Sequence, residues 1–235
     1  MGKLSQYLYR TYRASDDYNK EIILKMLGAC RGRLLDCGCG DGEFTEQIGR
    51  LPGVTGLYGI ETVAALARAA CRRGVRTVAS DLNRSLPFSE GFFDILHANQ
   101  VIEHLHSTDQ FLREARRVLK PTGVAVLSTN NLASWHNIFS LVLGMQPPPA
   151  HVSSEIHVGN LLDPKRHREV DRTEASHLRI FSYQALKELC EYHGFKVSSL
   201  RTTGYYPLPP RLGSVFNRID RRHGAFLIIE LTPLP

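Results

Sequence analysis

Leu34-Leu35-Asp36-Cys37-Gly38-Cys39-Gly40-Asp41-Gly42 is the stretch that decides the fold. A short apolar run stops at an acid, and three glycines then alternate with Cys39 and Asp41. Residues 43–50 read as the helix that follows. Glycines let the backbone approach a ligand closely, and a helix N-terminus offers free N–H groups. In an open α/β sheet such a turn lies at the carboxyl edge, where nucleotide-type ligands bind. The turn lacks Gly-Lys-Ser/Thr, so it is no P-loop, and its alternate glycines depart from the dinucleotide fingerprint. Taken alone, the glycines fit a tight turn with no ligand equally well.

Upstream, residues 15–28 predict a helix. Ser15 or Asp16 caps it, Ile22, Ile23, Met26 and Leu27 form its apolar stripe, and Gly28 ends it. Downstream, strands over 56–61, 75–80, 92–98 and 124–128 alternate with helices over 62–73 and 108–119, the latter stopped by Lys120, Pro121 and Gly123. That rhythm predicts a parallel sheet with right-handed crossovers. A helix over 181–193, capped by Ser182, precedes strands at 195–202 and 225–232. The loop between those strands holds Pro207, Pro209, Pro210 and a basic cluster. An ordinary crossover helix is excluded there, so the last two strands pair antiparallel. Between 130 and 180 the rhythm breaks. That stretch holds Trp135, an apolar patch from Ile138 to Met145, Pro147-Pro148-Pro149, and histidines at 136, 151, 157, 167 and 177. It reads equally as a functional insertion or as a cover that completes the core.

The 235 residues, 43% of them hydrophobic, are enough for a full core in one α/β domain or two small ones. A charge of +6, from 29 basic and 23 acidic residues, fits a solvated surface as well as a nucleic acid or an anionic membrane. No apolar run approaches the roughly 18 residues of a membrane span. Residues 1–13 lack the apolar segment of a secretory leader, and Gln6 leaves the myristoylation pattern begun at Gly2 incomplete. Five cysteines, without a second pair at ligand spacing, read as reduced thiols and not as a zinc site. The expectation is a cytoplasmic protein.

Two further acids support a ligand at the sheet edge. Glu61 ends the second strand about 20 residues past the glycines, where a carboxylate accepts from both ribose hydroxyls. Asp81 ends the third strand, placed to accept from an adenine amine, while the Leu82 N–H reaches a ring nitrogen.

These segments, with Ser80-Asp81-Leu82, Leu86-Pro87-Phe88, Phe93-Asp94-Ile95-Leu96 and Arg117-Val118-Leu119-Lys120-Pro121-Thr122-Gly123, resemble the successive motifs of class I S-adenosylmethionine-dependent methyltransferases over residues 30–130. The resemblance implies a Rossmann-like, doubly wound seven-stranded sheet, mostly parallel with a reversed last strand and helices on both faces. It implies S-adenosyl-L-methionine as cofactor and S-adenosyl-L-homocysteine as product. Gly38 and Gly40 would meet the methionine part, Glu61 the ribose, and Asp81 with Leu82 the adenine. Asp36 would orient the loop or the amino group, and Asn99 would lie beside the methionine part. One domain spans 1–235: a helical cover over 1–28, a cofactor core over 30–130, a substrate lid over 131–180, and a C-terminal helix with the antiparallel pair over 181–235.

Methyl transfer needs a base only where the acceptor holds its proton, as a hydroxyl does. His104 lies close to the expected methyl position, and His177 precedes the last helix. Each is a candidate base, and each also reads as a structural histidine. His106, His151, His157 and His167 read as surface residues, and Tyr7, Tyr9 and Tyr12 as packing for the first helix or as an aromatic cover folded over the cofactor. Gln100-Val101-Ile102-Glu103-His104 is similar to a segment of small-RNA 2′-O-methyltransferases that hold a metal, but Gln100 replaces a carboxylate there, so no metal is expected. The leading reading is a methyltransferase for a small molecule, with a hydroxyl or carboxyl oxygen as acceptor. DNA is not an expected partner, and RNA is disfavoured for want of a stacking surface. The alternatives are an RNA or protein methyltransferase, or a non-catalytic module touching an anionic membrane through the basic loops and the Ile138–Met145 patch.

Overall fold

Leu34 and Leu35 are adjacent, point to opposite faces of one strand, and are both fully buried. That requires a sheet covered on both sides. The computed structural model describes residues 2–170 and 177–235. Its strands are β1 (Gly32–Cys37), β2 (Val54–Ile60), β3 (Arg76–Val78), β4 (Phe93–Asn99), β5 (Leu119–Asn130), β6 (Phe195–Thr203) and β7 (Phe226–Pro233). They lie in the order β3-β2-β1-β4-β5-β7-β6. β7 runs antiparallel between β5 and β6, and the remaining neighbours pair in parallel.

On one face, Leu34, Ile95, Val126 and Ile228 pack under Ile23 and Leu27 of α1 (Lys3–Leu27) and Ile48 of α2 (Glu43–Gly49). On the other, Leu35, Leu96, Leu127 and Ile229 meet α4 (Thr108–Val118) through Phe111, Leu112 and Ala115. They also meet α6 (Tyr183–Tyr192) through Leu186 and Cys190. Each such side chain contributes about 1.5–3 kcal/mol by leaving water. Ala70 of α3 (Ala64–Arg72) packs with Val75 and Cys39. Two further helices, α5 (Trp135–Val142) and α7 (Pro210–Ile219), lie beyond the sheet edge.

Several boundaries differ from the sequence reading, and α5 forms within 130–180 where no element was expected. α1 starts at Lys3, twelve residues before the expected cap, and Ser15 donates to the Thr11 carbonyl inside the helix. β5 begins at Leu119 and absorbs Lys120–Gly123, where the Lys120 ammonium meets Asp94 at 2.6 Å. β3 keeps only three residues of the expected six. The 204–224 connection contains a helix, α7, because a proline is tolerated in the first turn. It still joins antiparallel strands, as expected.

Parallel register puts the functional ends together. Cys37 stands beside Ile60, Ile60 beside Val78, Asp36 beside His97, and Asn99 beside Ser128. Gly38, Glu61, Asp81 and Gln100 therefore leave the sheet at one edge. Asn19 fastens α1 to that edge. Its amide donates to Ser128 Oγ at 3.0 Å, and its carbonyl accepts from Thr203 Oγ1 at 2.7 Å. All three groups are buried. Asn19→Ala leaves two hydroxyls unpartnered and should cost about 1–3 kcal/mol, read as a lower urea midpoint at unchanged m-value.

Candidate active site

Gly38, Gly40 and Gly42 all take left-handed φ values, +73, +56 and +81°. A side chain at Gly38 would meet Val101 Cγ2 at 2.7 Å, and one at Gly42 would meet Ala70 Cα at 2.8 Å. At Gly40 the same direction is open, with nothing within 4 Å. The loop is held from below and from beside. Below it, the buried Asp36 accepts from Thr45 Oγ1 of α2 and from His97 Nδ1 of β4, the latter at 2.7 Å. Beside it, Glu61 accepts from the Gly40 N–H at 3.0 Å and the Val63 N–H at 2.8 Å.

A cavity of about 1220 Å³ opens along this edge. Gly38, Glu61, Asp81, Leu82 and Asn99 line it, and Asp36 does not. Asp36 thus sits where it fixes the loop and not where it would touch a ligand. Asp81 accepts from both the backbone N–H and the side-chain amide of Asn83, which hold its carboxyl below the usual range.

Past β4 the backbone turns at Gln100, a non-glycine residue with φ +57°. The short 3-10 turn Ile102–His104 follows. Glu103 is fully buried there, accepting from Thr129 Oγ1 at 2.8 Å and Asn130 Nδ2 at 3.3 Å. Its backbone carbonyl accepts from the N–H groups of Leu178 and Arg179, which pins the segment carrying His177 above it. His177 Nδ1 donates to the Pro149 carbonyl at 2.8 Å. The His104 and His177 rings are 4.8 Å apart, His177 and His151 4.9 Å, and His151 and His157 5.1 Å. All four line the cavity.

A family described as a methyltransferase domain matches residues 9–200. The chain belongs to the S-adenosylmethionine-dependent methyltransferases. It is 30% identical over 211 residues to a probable S-adenosylmethionine-dependent methyltransferase of Mycolicibacterium smegmatis, covering 88% of this chain and 67% of that one. A malonyl-[acyl-carrier protein] O-methyltransferase of Legionella pneumophila is 32% identical over 111 residues, 45% of this chain and 39% of the other. The chain therefore spans only part of the length of these relatives. A Thermotoga maritima structure described as a possible histamine N-methyltransferase has a TM-score of 0.64 at 18% identity, over 97% of this chain and 94% of that one. At that identity it shows the shared fold alone.

The cofactor of this methyltransferase is S-adenosylmethionine, and the residues present fit it. The left-handed Gly38, the Glu61 carboxylate that orders the loop, and the Asp81 carboxylate just past β3 share one cavity, while Gly40 lies outside its lining. The volume exceeds what one drug-sized ligand usually occupies, so cofactor and acceptor have room side by side.

The histidine end of the methyltransferase has its own electrostatics. Burial pushes the Glu103 carboxyl up to about 7 and the His177 imidazole down to about 4. Burial also lowers His151. His177 is therefore neutral at physiological pH, with a lone pair on Nε2 because Nδ1 carries the proton. Ligand atoms of Glu103, His104 and His177 all lie within 4.8 Å of one another, a spacing able to hold a metal ion.

The sequence reading missed several wall residues. His151 and His157, read as surface, face the cavity because the 145–170 segment folds back under the Gln146–Gly159 backbone bond. Tyr9 and Tyr12, read as helix packing or as an aromatic cover, line it as the cover reading expects, and Gln100 and His136, given no role from the sequence, line it too. His106 and His167 are exposed as expected. The one available signal was Glu103, an acid beside His104 in a turn flanked by the apolar Ile102 and Leu105.

A raised carboxyl binds more protons folded than unfolded between pH 4.5 and about 7, so its contribution to stability declines as pH rises through that window. His177, lowered from 6.5 to about 4, acts in the opposite sense over nearly the same window. Glu103→Gln removes only the first. Urea unfolding of variant and parent across this range should show the variant gaining up to about 3 kcal/mol relative to the parent as pH rises.

Proposed function

We propose that this methyltransferase modifies a small molecule at a hydroxyl or carboxyl oxygen, and that residues 131–170 and 177–180, the described part of the 131–180 lid, form the cover that selects it. The observation that carries the reading is the histidine-lined inner end of the cavity, held over the buried Glu103. The Legionella relative, an O-methyltransferase by name, supports oxygen as the acceptor.

Bound S-adenosylmethionine supplies a methyl group already activated on a sulfonium sulfur, which an acceptor displaces in line. The chain's work is then mostly positioning. The backbone at Gly38 and Gly40 receives the amino-acid end of the cofactor, with Asn99 beside it and Asp36 fixing the loop. Glu61 keeps lone pairs for the ribose hydroxyls after accepting from Gly40 and Val63. Asp81 and the Leu82 N–H read the adenine. At the other end the neutral His177, held on the Pro149 carbonyl, lies beside His104 and positions the acceptor, whose hydroxyl points at His104. His104 takes the proton as the methyl bond forms, and Glu103, titrating near 7, sets the charge of the pair.

Glu61→Ala should weaken cofactor binding roughly 10- to 100-fold in calorimetry. Gly40→Val should abolish it by filling the open space and forcing a left-handed valine. His104→Ala should lower kcat about 100-fold or more with cofactor affinity unchanged. The parent kcat should rise with pH through about 7 and lose that rise in Glu103→Gln. Undiminished kcat in both His104→Ala and His177→Ala would remove the proton-transfer role.

The 4.8 Å grouping favours a second reading, in which Glu103, His104 and His177 hold a divalent cation that binds the acceptor oxygen. Full activity after dialysis against a chelator favours the first reading. Loss that added zinc or manganese restores favours the second.

A further inference from the structure

Two helices of this chain are inside out. α5 buries Asn137 and Ser140, whose side chains bond to the Asn131 carbonyl and the Asn160 amide. It exposes Trp135, Phe139, Leu141 and Val142. α7 carries Leu212, Val215, Phe216 and Ile219 at the i, i+3, i+4, i+7 spacing that normally faces a core. All four are exposed, Ile219 at 81%. The helix packs through Gly213, where a side chain would reach the Tyr205 backbone at 3.3 Å.

The two outward stripes adjoin. The Trp135 indole donates to Asp220 at the end of α7 at 2.6 Å and lies 4.7 Å from the His223 ring. The start of α1 joins them, with the Tyr7 hydroxyl donating to the Pro207 carbonyl and Leu4 exposed. The result is one apolar face built from three elements, of the kind that marks an interaction site.

We infer that this face docks on an anionic lipid bilayer, and that the acceptor is an amphipathic molecule drawn from that bilayer. The second half rests on the methyl-transfer reading above; the first does not. Leu4, Trp135 and Phe139 are exposed and also line the cavity, so the mouth opens within the face itself. A protein seated there would seal the mouth, whereas a bilayer leaves it open to its own contents. Lys3 and Arg10 share one side of α1 with Tyr7, and Arg221 and Arg222 follow α7; all four cations are exposed. They suit acidic headgroups. The one acid among them, Asp220, is engaged by Trp135, His223 and the Arg222 N–H. No helix among the described residues is long and apolar enough to cross a membrane. The helices therefore lie on the surface, apolar side down, as interfacial amphipathic helices do.

The test is flotation of the full chain with vesicles of phosphatidylcholine, alone or mixed with phosphatidylglycerol. The parent should float with the mixed vesicles, and added salt should weaken it. Val142→Asp with Ile219→Asp, two sites at 77% and 81% exposure outside the cavity, should cut that binding at least about tenfold. Calorimetric affinity for S-adenosylmethionine, measured without vesicles, should be the same in parent and variant. No flotation of the parent, or equal flotation of the variant, overturns the docking. So does a parent dimer in sedimentation that the double substitution dissociates, since a second copy then covers the face. Loss of cofactor affinity in the parent itself would overturn the methyl-transfer reading and leave the flotation result standing.

Discussion

The whole site depends on how the chain leaves β1. Three left-handed residues within five positions turn the backbone out of the sheet and straight into α2, with no side chain on the open side of Gly40. Such a turn does not hold itself. Asp36 grips it from beneath through Thr45 and His97, deep in the protein, where a hydrogen-bonded carboxylate has little freedom. Glu61 grips it from the neighbouring strand tip through the Gly40 N–H. Two acids thus do different work: one orders the loop from below, and the other both orders it and faces the cavity.

The opposite end of the cavity follows another logic. Imidazoles crowd around one buried carboxyl, and desolvation drives Glu103, His177 and His151 away from their charged forms. Neutral forms of these three cost less to bury than charged ones. It also keeps lone pairs and a titratable proton within reach of a substrate, which a set of permanently charged groups in the same place would not do.

The sheet, its order and the cofactor edge were legible in the chain because parallel pairing ties function to strand ends. Once Leu34-Leu35-Asp36 is a strand, the positions of Glu61 and Asp81 follow from element length. The true extent of α1 was hidden. Its buried positions run Leu8, Thr11, Ser15, Asn19, Ile23, Leu27, and three polar residues in the middle break the apolar stripe. The places of His151 and His157 were hidden for a different reason. They lie in irregular chain, and tertiary hydrogen bonds, not periodicity, decide which way they point. α5 and α7 were not expected: the sequence reading left 130–180 without regular elements and took 204–224 for a proline-rich loop, and the apolar residues of both helices face outward instead of into the core.

The Asn19–Thr203 and Tyr7–Pro207 bonds join residues 184 and 200 positions apart. Helix α1 is therefore clasped to the last third of the sequence. Contacts of that span carry more loop-closure entropy than the strand pairs beside the glycine turn. The strands and glycine turn assemble from nearer neighbours. A half-made molecule would have its nucleotide cradle ready before any roof existed over it, and occupancy of that cradle would help drive the final closure.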